Sequence, residues 1–346
     1  MLADKLKDHF THYYNLGKKN LHNLFFLEKQ NINIANLVGL EINPEYIKLL
    51  KINAKNEIEN FAVAKLPNDV LVKNEIKNAS ALGGVLKNLI KQGHVKTKNI
   101  AFCIPRSSAI IKHISINKNL RADEIESRVW LEANKLFPDL IGDIFLDFFP
   151  VGIAEQDATR QEFTLVACRK DQLQPYLTLM HQADLNAKTV DLNSYALERA
   201  LNIILKNEPD YKTVALLNIN FSLITLIVID ENKLVYTHEI TPDLPHGDAE
   251  NSTDFKNSLS LHLRHTMQFF YSSRPSVRLQ KVLVSGDCAA TIPNLAEFIQ
   301  KETNKETALA NPFKNMSLSA NVDQETLKHY APALMLCCGL TATQIS

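Results

Sequence analysis

Apolar positions from Leu37 onward follow two alternating periods. Leu37–Ile42 and Tyr46–Ile52 are short apolar runs separated by Asn43, Pro44 and Glu45, a spacing that predicts a β-hairpin. Ala79–Gln92 reads as a helix, Lys98–Ile104 as a buried strand closed by Pro105, and Ala109–Ile116 as another strand. Over Arg121–Phe137 the period is helical: Ile125, Val129, Ala133 and Leu136 step by three or four residues. Asp123 and Glu124 suit the positive N-terminal end of this helix, and Pro138 stops it. Strands over Ile144–Val151 and Phe163–Cys168 precede helices over Gln172–Ala183 and, further on, Asp254–Ser273.

A second half opens near Lys212 with a copy of the first. Laying Glu41-Ile42-Asn43 on Asn218-Ile219-Asn220, an offset of 218 − 41 = 177, aligns "LVGLEINPEYIKLLKI" with "VALLNINFSLITLIVI" without a gap. Two copies of one hairpin, each opening a half, predict an internally duplicated, two-lobed α/β fold. The first 36 residues stand apart. They are rich in Lys, His and Asn, with Leu2, Leu6, Phe10, Tyr13 and Tyr14 near helical intervals, and read as an amphipathic helix that docks on a partner, on the membrane surface or back on the body, or as an ordinary docked or partly disordered extension.

A chain of 346 residues exceeds one ordinary core, and 45% hydrophobic content fills two. Lys and Arg total 38, as do Asp and Glu, which removes any bulk electrostatic drive toward nucleic acid or acidic lipid. The five cysteines (Cys103, Cys168, Cys288, Cys337, Cys338) show neither C-x-x-C spacing nor a disulfide framework, so a reducing cytoplasm is the expected setting. The longest apolar run, Leu223–Ile229, is far shorter than the roughly 20 residues that span a bilayer. No standard secretion signal or membrane span is read from the chain.

The hairpins resemble those of the actin-like and sugar-kinase fold, where a D-x-G turn closes on nucleotide phosphates. There the Asp orients the water shell of Mg²⁺ and the Gly lets backbone N–H groups approach phosphate oxygens. In this chain the first turn carries Glu41, Asn43 and Pro44, and the last has no N–H to offer. The second turn carries Asn218, Asn220 and Phe221, whose ring is expected near the phosphate entrance. "VLVSGDCA" (Val282–Ala289) resembles the adenosine-seating strand and turn; it keeps Gly286 but places the anion Asp287 where a second glycine would serve. Each lost donor or misplaced charge costs ~1–3 kcal/mol, and four approach the roughly 8 kcal/mol that a micromolar site possesses. Glu41, Asn43, Asn218, Asn220 and Gly286 are therefore read as remnants of a nucleotide site, with ATP and Mg²⁺ doubtful and no cofactor expected.

No metal site is expected. His262 and His265 share a helix face that His238, Glu239 and His246 could approach, but no third ligand has recognisable spacing, and a solvated face accounts for them. G-x-S-x-G, G-x-x-x-x-G-K-[ST] and Cys–His signatures are absent. Arg106 reads as a surface cation or a residue facing a cleft.

Further stretches carry a family pattern. "VWLEANKLFPDLIGDIFLDF" (Val129–Phe148) resembles the helix–Pro–strand segment of the type IV pilus assembly protein PilM family. "VACRKDQLQPYLTLMHQADLNAKTVDLNSYALERAL" (Val166–Leu201), "MQFFYSS", "ALANPFKNM" and "APALMLCCGL" resemble its later segments in the same order. With both hairpins the resemblance covers nearly everything from Leu37 to Leu340.

The resemblance implies an actin-like (ribonuclease-H-like) fold with a small α/β subdomain inserted in the first lobe. The implied boundaries are an N-terminal extension at 1–36, a first lobe at 37–106 and 191–211, an insert at 107–190 and a second lobe at 212–346. Family members usually carry a longer segment where only Thr241–Thr253 bridges Ile240 to Asp254, so the upper subdomain of the second lobe is expected to be missing. The resemblance also implies a non-enzymatic cytoplasmic scaffold, peripheral to the inner membrane through its partner. It would grip the cytoplasmic tail of an inner-membrane PilN-like protein between insert and first lobe and link the pilus platform to motor ATPases, for twitching, adhesion or DNA uptake. The strand holding Ala109, Ile110, Ile111, Lys112, His113 and Ile114 is the candidate edge for capturing that tail, or is structural only.

An ATP-binding switch or weak ATPase is the alternative. A small-molecule kinase would need a carboxylate at position 218, which holds Asn. A division-type actin homologue would need a C-terminal tether, for which "GLTATQIS" leaves no room.

Overall fold

The computed structural model describes residues 36–72, 74–138, 140–154, 156–242, 244 and 253–341. The amphipathic pattern of the first 35 residues and His246 lie outside them.

The first lobe opens with the expected hairpin, β1 (Val38–Ile42) and β2 (Tyr46–Ile52), extended by β3 (Glu57–Lys65). The small ribbon β4 (Leu71–Val72) and β5 (Glu75–Ile76) leads into helix α1 (Ala79–Gln92). Asn78 caps this helix by accepting the Ala81 N–H, and Leu82, Leu86 and Leu89 form its buried stripe. Strand β6 (Asn99–Ile104) then pairs parallel with β1.

The chain next leaves the lobe to build the insert: β7 (Ala109–Asn117), α2 (Ala122–Leu136), β8 (Ile144–Ala154), β9 (Asp157–Arg169) and α3 (Lys170–Gln182). Its three-stranded antiparallel sheet has the order β7-β9-β8, so β7 lies at an edge. Helix α2 starts on a carboxylate, the Glu124 side chain accepting the Arg121 N–H at 2.8 Å.

Strand β10 (Asn186–Leu192) returns to pair parallel with β6. It therefore belongs to the first lobe's sheet and not to an insert running to residue 190, because only that sheet leaves β6 an open edge. Helix α4 (Asn193–Lys206) crosses to the second lobe. There β11 (Thr213–Ile219), β12 (Ile224–Asp230) and β13 (Lys233–Ile240) are followed by α5 (Thr253–Ser273), β14 (Lys281–Ser285), α6 (Asp287–Thr291), α7 (Leu295–Thr303) and β15 (Glu306–Leu309). The sheet order β13-β12-β11-β14-β15 mirrors β3-β2-β1-β6-β10, with the same two antiparallel and two parallel neighbours in each lobe. Residues 241–252, between β13 and α5, are too few for a further layer.

Assigning everything from 212 to 346 to the second lobe needs correction. β16 (Ser317–Leu318) adds to the outer edge of β3. Beyond α8 (Gln324–Tyr330), helix α9 (Met335–Thr341) packs on β1 and α4. Its apolar faces complete a core that draws Leu37 and Leu50 from one lobe and Leu216 and Ile227 from the other.

That packing depends on Gly339, where an added Cβ would sit 1.7 Å from the Ala196 carbonyl oxygen on α4. Gly84 on α1 has open space around it. Urea denaturation followed by circular dichroism should show Gly339→Ala losing about 3 kcal/mol or failing to fold. Gly84→Ala should gain ~0.5–1 kcal/mol from helix propensity.

Candidate functional site

Strand register alone sets Glu41 on β1 opposite Lys48 on β2. Both side chains turn toward the seam between the lobes. There Asp287, the first residue of α6, arrives from the second lobe. Lys48 Nζ lies 2.6 Å from Asp287 Oδ1 and 3.0 Å from Glu41 Oε2, and the three side chains are 0%, 2% and 4% exposed. Asn43 ties the two carboxylates together, its Nδ2 donating to Asp287 Oδ2 at 2.6 Å and Glu41 Oε1 at 3.2 Å. A charge stripped of water is tolerated only when paired and hydrogen-bonded, and here the pairing crosses the lobes. Asp287, an oddity in the sequence, is explained by Lys48, whose role no local motif announces.

Burial pushes Glu41 up to about 7, against the opposing pull of Lys48. For Lys48 burial acts downward, but the carboxylates of Asp287 and Glu41 more than offset it and hold the ammonium above its ordinary range. The neighbouring thiols Cys103 and Cys337 are raised, first by burial and then by Glu41, so they stand as protonated, inert side chains.

The turns that would face phosphate oxygens have closed on themselves. Asn43 Oδ1 accepts the N–H groups of Glu45 (3.0 Å) and Tyr46 (2.7 Å), an Asx turn, and Pro44 has none to give. Asn220 Oδ1 takes the Asp287 N–H at 2.8 Å, and Asn218 Oδ1 accepts from Ser285 Oγ at 2.9 Å. Gly286 donates its N–H to the Pro332 carbonyl at 2.9 Å. Its φ of +95° and the Ile219 oxygen 2.4 Å from any added Cβ account for glycine there without a ligand.

Glu41, Asn43, Asn218, Asn220 and Gly286 thus come together at one seam. Phe221 does not guard a phosphate entrance. Phe221 is 2% exposed and its ring packs at a tilt of 59°, centroid 5.9 Å from that of Phe255 of α5, because the apolar ring gains more in the second lobe's core than at a wet cleft. Among the described residues no group of His, Cys, Asp and Glu is arranged to hold a metal ion. Glu239 instead takes the backbone N–H groups of Arg106 (3.1 Å) and Ser107 (2.9 Å) across the lobes, capping the turn that leads into the insert.

Two cavities flank that turn. One of about 370 Å³ lies where three bodies meet, lined by Asn43 and Ile76 of the first lobe, Asp171 and Tyr176 of α3, and Asn220 and Ser222 of the second lobe. Among the described residues its lining carries the carboxylates Glu41, Glu75 and Asp171 and no Lys, Arg or His. The other, about 230 Å³, lies between the β7 edge at Ala109 and Ile111 and the β13 edge at Thr237 to Glu239. Along β7, Ile110 is exposed, Ile114 half-buried and Lys112 exposed, and the exposed His113 meets Thr164 Oγ1 through its Nδ1 at 3.0 Å. No further strand pairs with the outer edge of β7 among the described residues.

Glu45 sits above the first cavity and accepts from Ser222 Oγ at 3.1 Å, a second bridge between the lobes. Burial, and then Asp287, push it from 4.5 up to about 7. The native state therefore keeps a proton that the unfolded chain releases, and stability falls as pH rises from about 4.5 to 7, then levels. Glu45→Gln keeps an acceptor for Ser222. In urea titrations across pH it should flatten this slope and, by pH 8, exceed the wild type by about 1–2 kcal/mol, allowing for solvent screening.

Comparison with known proteins bears on the family and the fold. The family model "Type IV pilus assembly protein PilM" matches residues 39–242 and 240–344, dividing where the β13–α5 connection is short. The structure titled "PilM-PilN type IV pilus biogenesis complex" is 18% identical, with a TM-score of 0.71 over 90% of this chain and 99% of that one. The ethanolamine utilization protein EutJ from Carboxydothermus hydrogenoformans is 10% identical, with a TM-score of 0.50 over 88% of each chain. The two duplicated lobes have the actin-like fold, and the chain belongs to the type IV pilus assembly protein PilM family.

Proposed function

We propose that this chain is a non-catalytic, nucleotide-independent scaffold of type IV pilus assembly that grips the cytoplasmic tail of a PilN-like inner-membrane protein. It would work in the cytoplasm, held at the inner membrane through that partner. The observation that carries the nucleotide-independent part is the closure of both turns. The N–H groups of Glu45, Tyr46, Gly286 and Asp287 already have acceptors, and an ammonium fills the space between Glu41 and Asp287 where a cation would bridge to phosphate. Among the described residues, a polyphosphate entering the larger cavity would meet three carboxylates and no cation. No helix among the described residues is long and apolar enough to cross a membrane, in keeping with attachment through a partner.

The tail is assigned to the free edge of β7, where the adjoining cavity lies toward β13 of the second lobe rather than between insert and first lobe. Ala109, Ile110, Ile111, Lys112, His113 and Ile114 would offer main-chain hydrogen bonds to an extended segment, with apolar contacts at Ala109 and Ile111. A structural strand at a sheet edge leaves these groups to solvent; a tail would pair them.

Isothermal titration with a synthetic peptide of the partner's tail should give saturable binding in the micromolar range. Ile111→Glu should weaken it about tenfold or more, roughly 1.4 kcal/mol. No heat of binding at high micromolar peptide overturns the scaffold reading. Equilibrium dialysis with labelled ATP and Mg²⁺ should show no retention; retention at micromolar ATP would favour the switch or weak ATPase instead.

A further inference from the structure

The cluster at the lobe seam has the composition of a self-condensing cross-link: a lysine amine, an aspartate carboxyl, a second carboxylate in contact with the amine, and an amide N–H on the aspartate's other oxygen. All four side chains lie out of water. Lys48, Glu41 and Asp287 are 0%, 3% and 2% exposed and Asn43 is 8% exposed. The apolar and thiol side chains of Ile42, Ile104, Leu336 and Cys103 share the neighbouring cavity wall. We propose that Lys48 Nζ and Asp287 Cγ condense into an intramolecular isopeptide bond that covalently staples the first lobe to the second.

The geometry supplies each step. Attack requires the minor form in which one proton has passed from Nζ to Asp287 Oδ1 across their 2.6 Å contact, leaving a neutral amine beside a carboxylic acid. The Nζ lone pair attacks Cγ of Asp287, whose Oδ1 already lies 2.6 Å from Nζ. Negative charge then grows on Oδ2, and Asn43 Nδ2, 2.6 Å away, donates to it as an oxyanion-hole group does. Glu41 Oε2, 3.0 Å from Nζ, takes the proton the nitrogen must shed and delivers it to Oδ1, which departs as water. One N–C bond forms and one C–O bond breaks. Glu41 is regenerated, and no oxidant, metal or cofactor is consumed. Two opposite charges disappear from the interior, and the released water has an exit, because Glu41 and Asn43 also line the 370 Å³ cavity.

Proximity is the main drive. Amine and acid fixed in contact react with effective molarities that reach ~10⁵ M or more, enough to offset the preference for hydrolysis in bulk water. Burial of Glu41, which raises it to about 7, suits a group that must both accept and return a proton near neutrality. Asn43 and Glu41 act on the reacting atoms directly; Glu45, farther out, does not.

The full chain, purified and denatured, should have an intact mass about 18 Da below that of its sequence, the loss of one water on forming the amide. After trypsin, the peptides holding Lys48 and Asp287 should elute as one branched species, with Lys48 uncleaved. Lys48→Arg and Glu41→Gln should each return to the full sequence mass. Circular dichroism on both separates loss of the bond from loss of the fold. A folded wild type at the unmodified mass, with the two peptides separate, overturns the proposal and leaves the cluster an ion pair. Loss of water persisting in Glu41→Gln overturns the role given to Glu41. Neither readout depends on whether a partner tail or a nucleotide binds.

Discussion

The arrangement of the two lobes depends on the buried ammonium of Lys48. It reaches Glu41 from its own hairpin and Asp287 from the opposite lobe, and has no exposed surface of its own. Opening the seam would part Asp287 from Lys48 and Asn43 and leave its carboxylate without partners, while Lys48 keeps Glu41, and breaking a buried pair costs about 3–5 kcal/mol.

The rest of the seam is consistent with that constraint. Glu239 caps the turn at Arg106 and Ser107, Ser222 donates to Glu45, and Gly286 donates to Pro332. Helix α9, carried by the end of the second lobe, is wedged between β1 and α4 of the first, with backbone contacts that leave no room for a Cβ at Gly339. A seam held at several points gives the insert a fixed base. The free edge of β7 is carried on that base.

Much of the fold was legible along the chain. Periodicity located both hairpins, the helix at Ala79–Gln92 and the strands of the insert, and the offset of 177 anticipated two sheets of the same topology. Three assignments were not legible. β10 reads as part of the insert because it follows α3, yet the open edge of β6 captures it. β16 and α9 follow the second lobe in sequence but join the first, since β16 pairs with the open edge of β3 and the apolar face of α9 fits between α4 and the first sheet. Phe221 sits in a turn that suggests exposure, but its neighbour in space is Phe255.

By itself the sequence determined the duplicated two-lobed frame, the family, and the loss of D-x-G chemistry at both turns. These properties are local: apolar periods, turn residues and the absence of particular side chains. Only the tertiary structure decided what replaced the lost chemistry. Lys48 and Asp287 are separated by most of the chain, and nothing in either neighbourhood marks a lysine as internal. Its identity as the seam's cation arises when the duplicated hairpin and the β14–α6 turn close on one dry volume that must balance its charges.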